Sequence, residues 1–286
     1  MIAIVAFSIL QGAVPAPARV DSTAVPEPAA FWQAISGTTL SIEFVGVPGG
    51  MLEVADGGAV AIAPFWMSAT EIPWQHYDAF VFRFDERAES GDADGVTRPT
   101  KPYVLVDRGF GHDGYPAISM SHKGAVAFCE WLSAKTGRTY RLPSEHEWEW
   151  ACRAGAGGEP ETPLAERAWY AENAERKTRP VAKRKPNAWG LFDMLGNAAE
   201  WCTSADGQPI VCGGAYSDPA EDVTPRARKH PSPAWNAHDP QLPKSVWWLT
   251  DAPFVGLRVV CEEPPPEGER GEPESERDAK EPRRPR

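Results

Sequence analysis

Arg141-Leu142-Pro143-Ser144-Glu145-His146-Glu147-Trp148-Glu149-Trp150-Ala151-Cys152-Arg153-Ala154-Gly155 decides how the chain is built. Ser144 and Glu147 form a capping box: the hydroxyl accepts from the Glu147 amide, and the Glu147 carboxylate accepts from the Ser144 amide. A short helix follows, with Trp148, Ala151 and Cys152 on its buried side and Gly155 as its stop. Upstream, Ser121 caps a second helix whose stripe is Ala125, Phe128, Cys129 and Leu132, and Gly137 ends it. Earlier still, Pro73 suits a first helical position, with Trp74, Tyr77, Phe80, Val81 and Phe84 on one face. Strands are expected at 39–47, 59–67, 210–212 and 255–260, where apolar runs alternate or stand between turn residues. The long segments 85–117 and 156–190 read as loops. Short elements among long loops describe a loop-rich α+β domain. The 25 glycines, 29 prolines and 12 tryptophans agree, since Gly and Pro interrupt regular elements and aromatic rings fill the gaps.

The net charge is −11. The one compact basic cluster is Lys183-Arg184-Lys185, so a phosphate-backbone surface is not supported and nucleic acid is not an expected partner. Residues 1–18 read as a signal peptide ending at Ala16-Pro17-Ala18, with an apolar run too short to span a bilayer. Export to a periplasmic or extracellular space is the expectation. Residues 19–38 read as a Pro/Ala-rich linker, 39–261 as the domain, and 262–286 as a Pro/Glu/Arg tail too poor in apolar residues to fold. The five cysteines, Cys129, Cys152, Cys202, Cys212 and Cys261, contain no C-x-x-C. Cys202 could pair with Cys212 or with Cys152, and free buried thiols are the alternative.

Asp193-Met194-Leu195-Gly196-Asn197-Ala198-Ala199-Glu200 places carboxylates at both ends of an eight-residue turn. Such a loop can wrap a hard cation that wants six to eight oxygens. Equally, Asp193 can cap the turn while Glu200 pairs with a core arginine, Arg141 or Arg258.

Four segments in order carry a family resemblance: 67–77, 116–155, 186–201, and Gly213-Gly214-Ala215-Tyr216 with Gly256-Leu257-Arg258. They resemble the sulfatase-modifying-factor (formylglycine-generating-enzyme) family over residues 39–261. The resemblance implies a C-type-lectin-like fold. It implies a calcium site with Asp193 and Glu200 as side-chain ligands and Gly196 and Ala198 as carbonyl ligands. Only the first half of a second calcium site is matched, at Asn173 and Ala174. It also implies a disulfide between Cys129 and Cys261. Active members hold copper on two cysteines soon after the Gly-Gly strand, and soft thiolates suit copper(I). Here no cysteine lies between Cys212 and Cys261, so copper and cysteine oxidation are not expected. The resemblance places a groove near Tyr216, Trp235, Asn236, His238, Asp239, Trp247 and Trp248, where aromatic rings beside Asn and Asp suit a peptide, protein or carbohydrate ligand. Two functions follow: an exported, calcium-stabilised, noncatalytic binding or scaffold module, or an oxygen- or metal-dependent enzyme using other ligands such as His230, His238 and Asp239.

Overall fold

A computed structural model describes residues 30–55, 57–85, 107–155, 162–237 and 248–263. The expected signal segment, the first part of the expected linker and nearly all of the expected tail lie outside the described residues.

In chain order the strands are β1 (Phe31–Ala34), β2 (Ser41–Val47), β3 (Gly50–Glu53), β4 (Ala59–Ile62) and β5 (Phe65–Ser68). Helices α1 (Trp74–Phe82) and α2 (His122–Thr136) follow, then β6 (Tyr140–Arg141), α3 (Glu145–Arg153) and α4 (Leu164–Arg167). The chain continues through β7 (Ala199–Thr203), β8 (Pro209–Cys212), β9 (Arg228–Lys229), β10 (Val255–Gly256) and β11 (Val260–Cys261). One sheet has the order β1-β2-β5-β11-β6, a second β10-β7-β8-β9, and β3-β4 is a separate ribbon. This is the α+β architecture expected, with long irregular stretches between short elements.

The caps form as read. Ser144 accepts from Glu147 N, and the Glu147 carboxylate accepts from Ser144 N at 2.8 Å. Arg141 grips the same carboxylate with both terminal nitrogens, at 2.7 and 2.8 Å. Ser121 accepts from Gly124 N, and Gly137 closes α2 in the left-handed region. Three expectations need correction. The expected linker contributes β1, where Phe31 is fully buried and paired with Phe44 of β2. Phe84 is 64% exposed, because Arg83 turns left-handed (φ 58°) and ends α1 at Phe82. The run at 59–67 breaks at Ala63-Pro64 into strands that serve different sheets, as proline's missing N–H would require.

The expected strand at 255–260 also divides. Val255 and Gly256 pair in parallel with Ala199 and Glu200 of β7, whereas Val260 and Cys261 lie between β5 and β6. The crossing between the two sheets is Leu257-Arg258-Val259, all fully buried. A charged side chain is thereby placed at the seam of the molecule.

Candidate functional site

Arg258 organises that seam. Its Nε donates to both Glu200 carboxylate oxygens at 3.0 Å, and Nη2 lies 2.9 Å from Oε1. Nη1 donates to the Ser68 carbonyl at 2.6 Å and Nη2 to the Phe192 carbonyl at 2.7 Å. Trp148 Nε1 donates to Glu200 Oε2 at 2.6 Å. A buried guanidinium is tolerated where its hydrogens are met in this way.

A second carboxylate, Glu71, lies beside the pair with no exposed surface. It accepts from Ala198 N at 2.9 Å and from Asn197 Nδ2 at 3.0 Å. Burial, reinforced by Asp193 and Glu200, holds its carboxyl well above the ordinary range. Asp193 Oδ2 accepts from Ala182 N at 2.7 Å. Burial raises the Asp193 carboxyl to about 6, partly offset by that amide and by Arg258. Asn197 joins the loops: its side chain accepts from Arg179 N at 2.8 Å, its amide donates to the Trp169 carbonyl at 2.7 Å, and its carbonyl accepts from Tyr216 N at 2.8 Å. Gly196 (φ 72°) passes so close to Trp169 that a Cβ would meet its carbonyl oxygen at 2.1 Å. Glu71 and Asn197 were not among the expected site residues, although both lie inside the quoted segments. Their roles depend on contacts across 126 residues of sequence, which no local spacing reveals.

The implied calcium ligands can now be tested against this geometry. Both Glu200 oxygens are filled by Arg258 and Trp148. Asp193 Oδ1 is buried without a partner, but the cavity beside it measures about 20 Å³ and is lined by Arg167 and Lys185 as well as Asp193. That is room for roughly one water, not for a cation and the six to eight oxygens it needs. Asp193, Gly196, Ala198 and Glu200 do not fit a calcium ion in this arrangement. Among the described residues no group of three or more His, Cys, Asp or Glu could hold a metal. The five cysteines are buried free thiols, so Cys129 on α2 and Cys261 on β11 are not joined here.

The turn after Gly213-Gly214 is buried except at Ser217. Asp218 accepts from Ala215 N at 2.8 Å and from Lys229 Nζ at 2.5 Å. Lys229 in turn lies 5.0 Å from the Phe254 ring centre. Phe254, Trp235 and Trp201 continue edge-to-face at 5.4 and 5.8 Å. Separately, Lys123 Nζ lies 4.2 Å from the Trp248 ring, and Tyr216 packs edge-on against Phe110 at 5.3 Å. Of the expected groove residues, Tyr216 meets Phe110, Trp235 meets Trp201 and Phe254, Trp248 lies against Lys123, and half-buried Asn236 ends the short helical turn that carries Trp235. His238, Asp239 and Trp247 lie outside the described residues.

Comparison with known proteins agrees with this architecture. Residues 36–240 match the sulfatase-modifying factor enzyme 1-like domain. The formylglycine-generating enzyme of Mycobacterium tuberculosis is 36% identical over 107 residues, 32% of this chain and 34% of that protein. The inactive C-alpha-formylglycine-generating enzyme 2 of Bos taurus is 32% identical over 105 residues, 32% of this chain and 33% of that protein. The chain spans about a third to a half of the length of the formylglycine-generating enzymes it matches. Treponema denticola variable protein 1 superposes with a TM-score of 0.60 at 20% identity, covering 82% of this chain and all of that one, which supports the fold alone. With more than half of its length matched, the chain belongs to the sulfatase-modifying factor enzyme 1-like domain family.

Proposed function

We propose that the domain is a noncatalytic binding module of the exported proteome, which takes a peptide or carbohydrate in the groove along Tyr216, Trp235 and Trp248. One observation carries this most directly: the segment after Gly213-Gly214 holds no cysteine before Cys261. In place of a thiol pair the turn is closed by Asp218, tied to Lys229 and the Ala215 amide. Aromatic rims beside hydrogen-bonding side chains suit sugars and peptides, whose faces stack while their edges bond. Calcium stabilisation, which the resemblance implied, is replaced in this proposal by the Arg258–Glu200 pair.

The test has two parts. Protein incubated with copper, oxygen and a cysteine-containing peptide should form no aldehyde by mass spectrometry. The same protein on peptide and glycan arrays should bind a ligand that Trp235→Ala loses. Aldehyde formation, or stoichiometric iron or copper in the purified full chain, would favour the enzymatic alternative instead.

A further inference from the structure

The second sheet has two faces of opposite character. Side chains alternate along a strand. Glu200, Cys212 and Arg228 lie opposite one another across β7, β8 and β9, on the face that meets α3. Trp201, Val211 and Lys229 lie opposite one another on the other face, with Ala199 two residues before Trp201. The helical turn Ala220–Asp222 packs against Gly214, just past β8. Gly214 permits the approach: at φ 71°, a Cβ there would meet the Asp222 carbonyl oxygen at 3.0 Å and Val223 at 3.1 Å. A cavity of about 250 Å³ is left, whose lining includes Ala199, Val211 and Lys229 of the sheet and Glu221, Asp222 and Thr224 of the turn. That lies just below the roughly 300 Å³ at which drug-sized sites begin, so it takes one small ring or one side chain.

The charges around this cavity do not cancel. Arg228 lies 3.1 Å from Glu145 and 2.9 Å from Glu149, and Lys229 lies 2.5 Å from Asp218. Each lining cation is therefore already met by a carboxylate from outside the cavity. Glu221 and Asp222 are exposed, and their carboxylates make no ion pair or hydrogen bond among the described residues. The unspent charge is negative, on two adjacent side chains. The cavity also adjoins the aromatic row. Lys229 lies 5.0 Å from the Phe254 ring centre, Phe254 meets Trp235, and Trp235 meets Trp201 on the same sheet face as Val211.

We infer that this cavity binds one ring of an amino sugar, with its ammonium group held by Glu221 and Asp222. An ammonium answers both carboxylates through charge-assisted hydrogen bonds. The Thr224 hydroxyl and the remaining Lys229 hydrogens serve ring hydroxyls, and Ala199 with Val211 offers an apolar floor for a carbon face. A neutral sugar would leave the carboxylates unmet. A plain alkyl amine would leave Thr224 and Lys229 unused. The inference rests on the proposed groove, and it narrows the ligand there from peptide or carbohydrate to a cationic carbohydrate whose next unit lies on Trp235.

The experiment is an NMR titration of the full chain at low ionic strength with glucosamine, N-acetylglucosamine and n-butylamine. Glucosamine should bind at least tenfold more tightly than N-acetylglucosamine, which lacks the charge, and than butylamine, which lacks the hydroxyls. Glu221→Gln/Asp222→Asn should weaken glucosamine more than tenfold, as loss of charged hydrogen bonds does. Glu172→Gln, which removes an exposed carboxylate outside the cavity, should leave it unchanged. No glucosamine binding, equal binding to the double variant, or equal affinity for N-acetylglucosamine or butylamine overturns the inference. If an array ligand lost by Trp235→Ala binds the double variant as it binds wild type, the groove stands and the cavity site falls. If glucosamine binds through the two carboxylates and no array ligand is found, the cavity site stands and the groove falls.

Discussion

The Arg258 knot and the loops that carry Arg108 and Arg176 are built from the same kinds of residue, yet they treat charge in opposite ways. They touch at Asn197, whose side chain receives the Arg179 amide. In the knot, Arg258 is fully buried and meets Glu200, Ser68 and Phe192. On their loops, Arg108 and Arg176 face solvent with almost no partner among the described residues. Burial explains the contrast. An unpaired charge inside costs several kcal/mol, so a buried one survives only when satisfied. Water imposes no such demand on an exposed charge. The residues with the most extensive hydrogen bonding are therefore frame, and those with unused capacity are the candidates for recognition. The implied calcium ion does not fit for this reason: the carboxylate that matched the family pattern is already claimed by an arginine 58 residues away.

The sharpest way to break the contrast is to remove the cation of the knot. Arg258→Ala leaves Glu200 buried opposite nothing but Trp148, and should cost about 3–5 kcal/mol in urea unfolding. If millimolar calcium restored that loss, the loop would have cation-binding capacity after all. A smaller effect is expected from Asp193. Its folded carboxyl titrates near 6, above the ordinary value, so its favourable contribution is complete below about pH 4 and is lost as pH rises towards 6. Asp193→Asn should flatten the stability curve in that window and, by keeping an acceptor for Ala182 N, gain of the order of 1–3 kcal/mol at pH 7. Chemical denaturation at pH 4 and pH 7 checks this. A wild type whose stability rises across that range would contradict it.

What the sequence made legible was local. The capping box at Ser144 and Glu147, the cap at Ser121 and the stop at Gly137 involve residues within four of one another, and each formed as read. Tryptophans in a late loop suggested a groove but not which rings meet: Trp235 meets Trp201 and Phe254, while Tyr216 meets Phe110. Phe84 was misplaced because a left-handed Arg83 is invisible to helical periodicity. The division of β10 from β11 was hidden because both halves are equally apolar. Only the sheets they join differ. Glu71 lay in a quoted segment, yet its burial depends on Ala198 and Asn197, far along the chain.

The last test separates frame from recognition by its smallness. Arg108→Gln/Arg176→Gln removes two exposed guanidinium groups that make no ion pair among the described residues. Surface changes of this kind usually stay within about 0.5 kcal/mol. Its melting temperature should match wild type within about 2 °C. The left-handed backbone at both positions sharpens the outcome: Gln carries the same φ strain as Arg, so any large loss of stability would have to come from the guanidinium groups themselves. A drop comparable to that of Arg258→Ala would mean that these loops, too, are part of the frame.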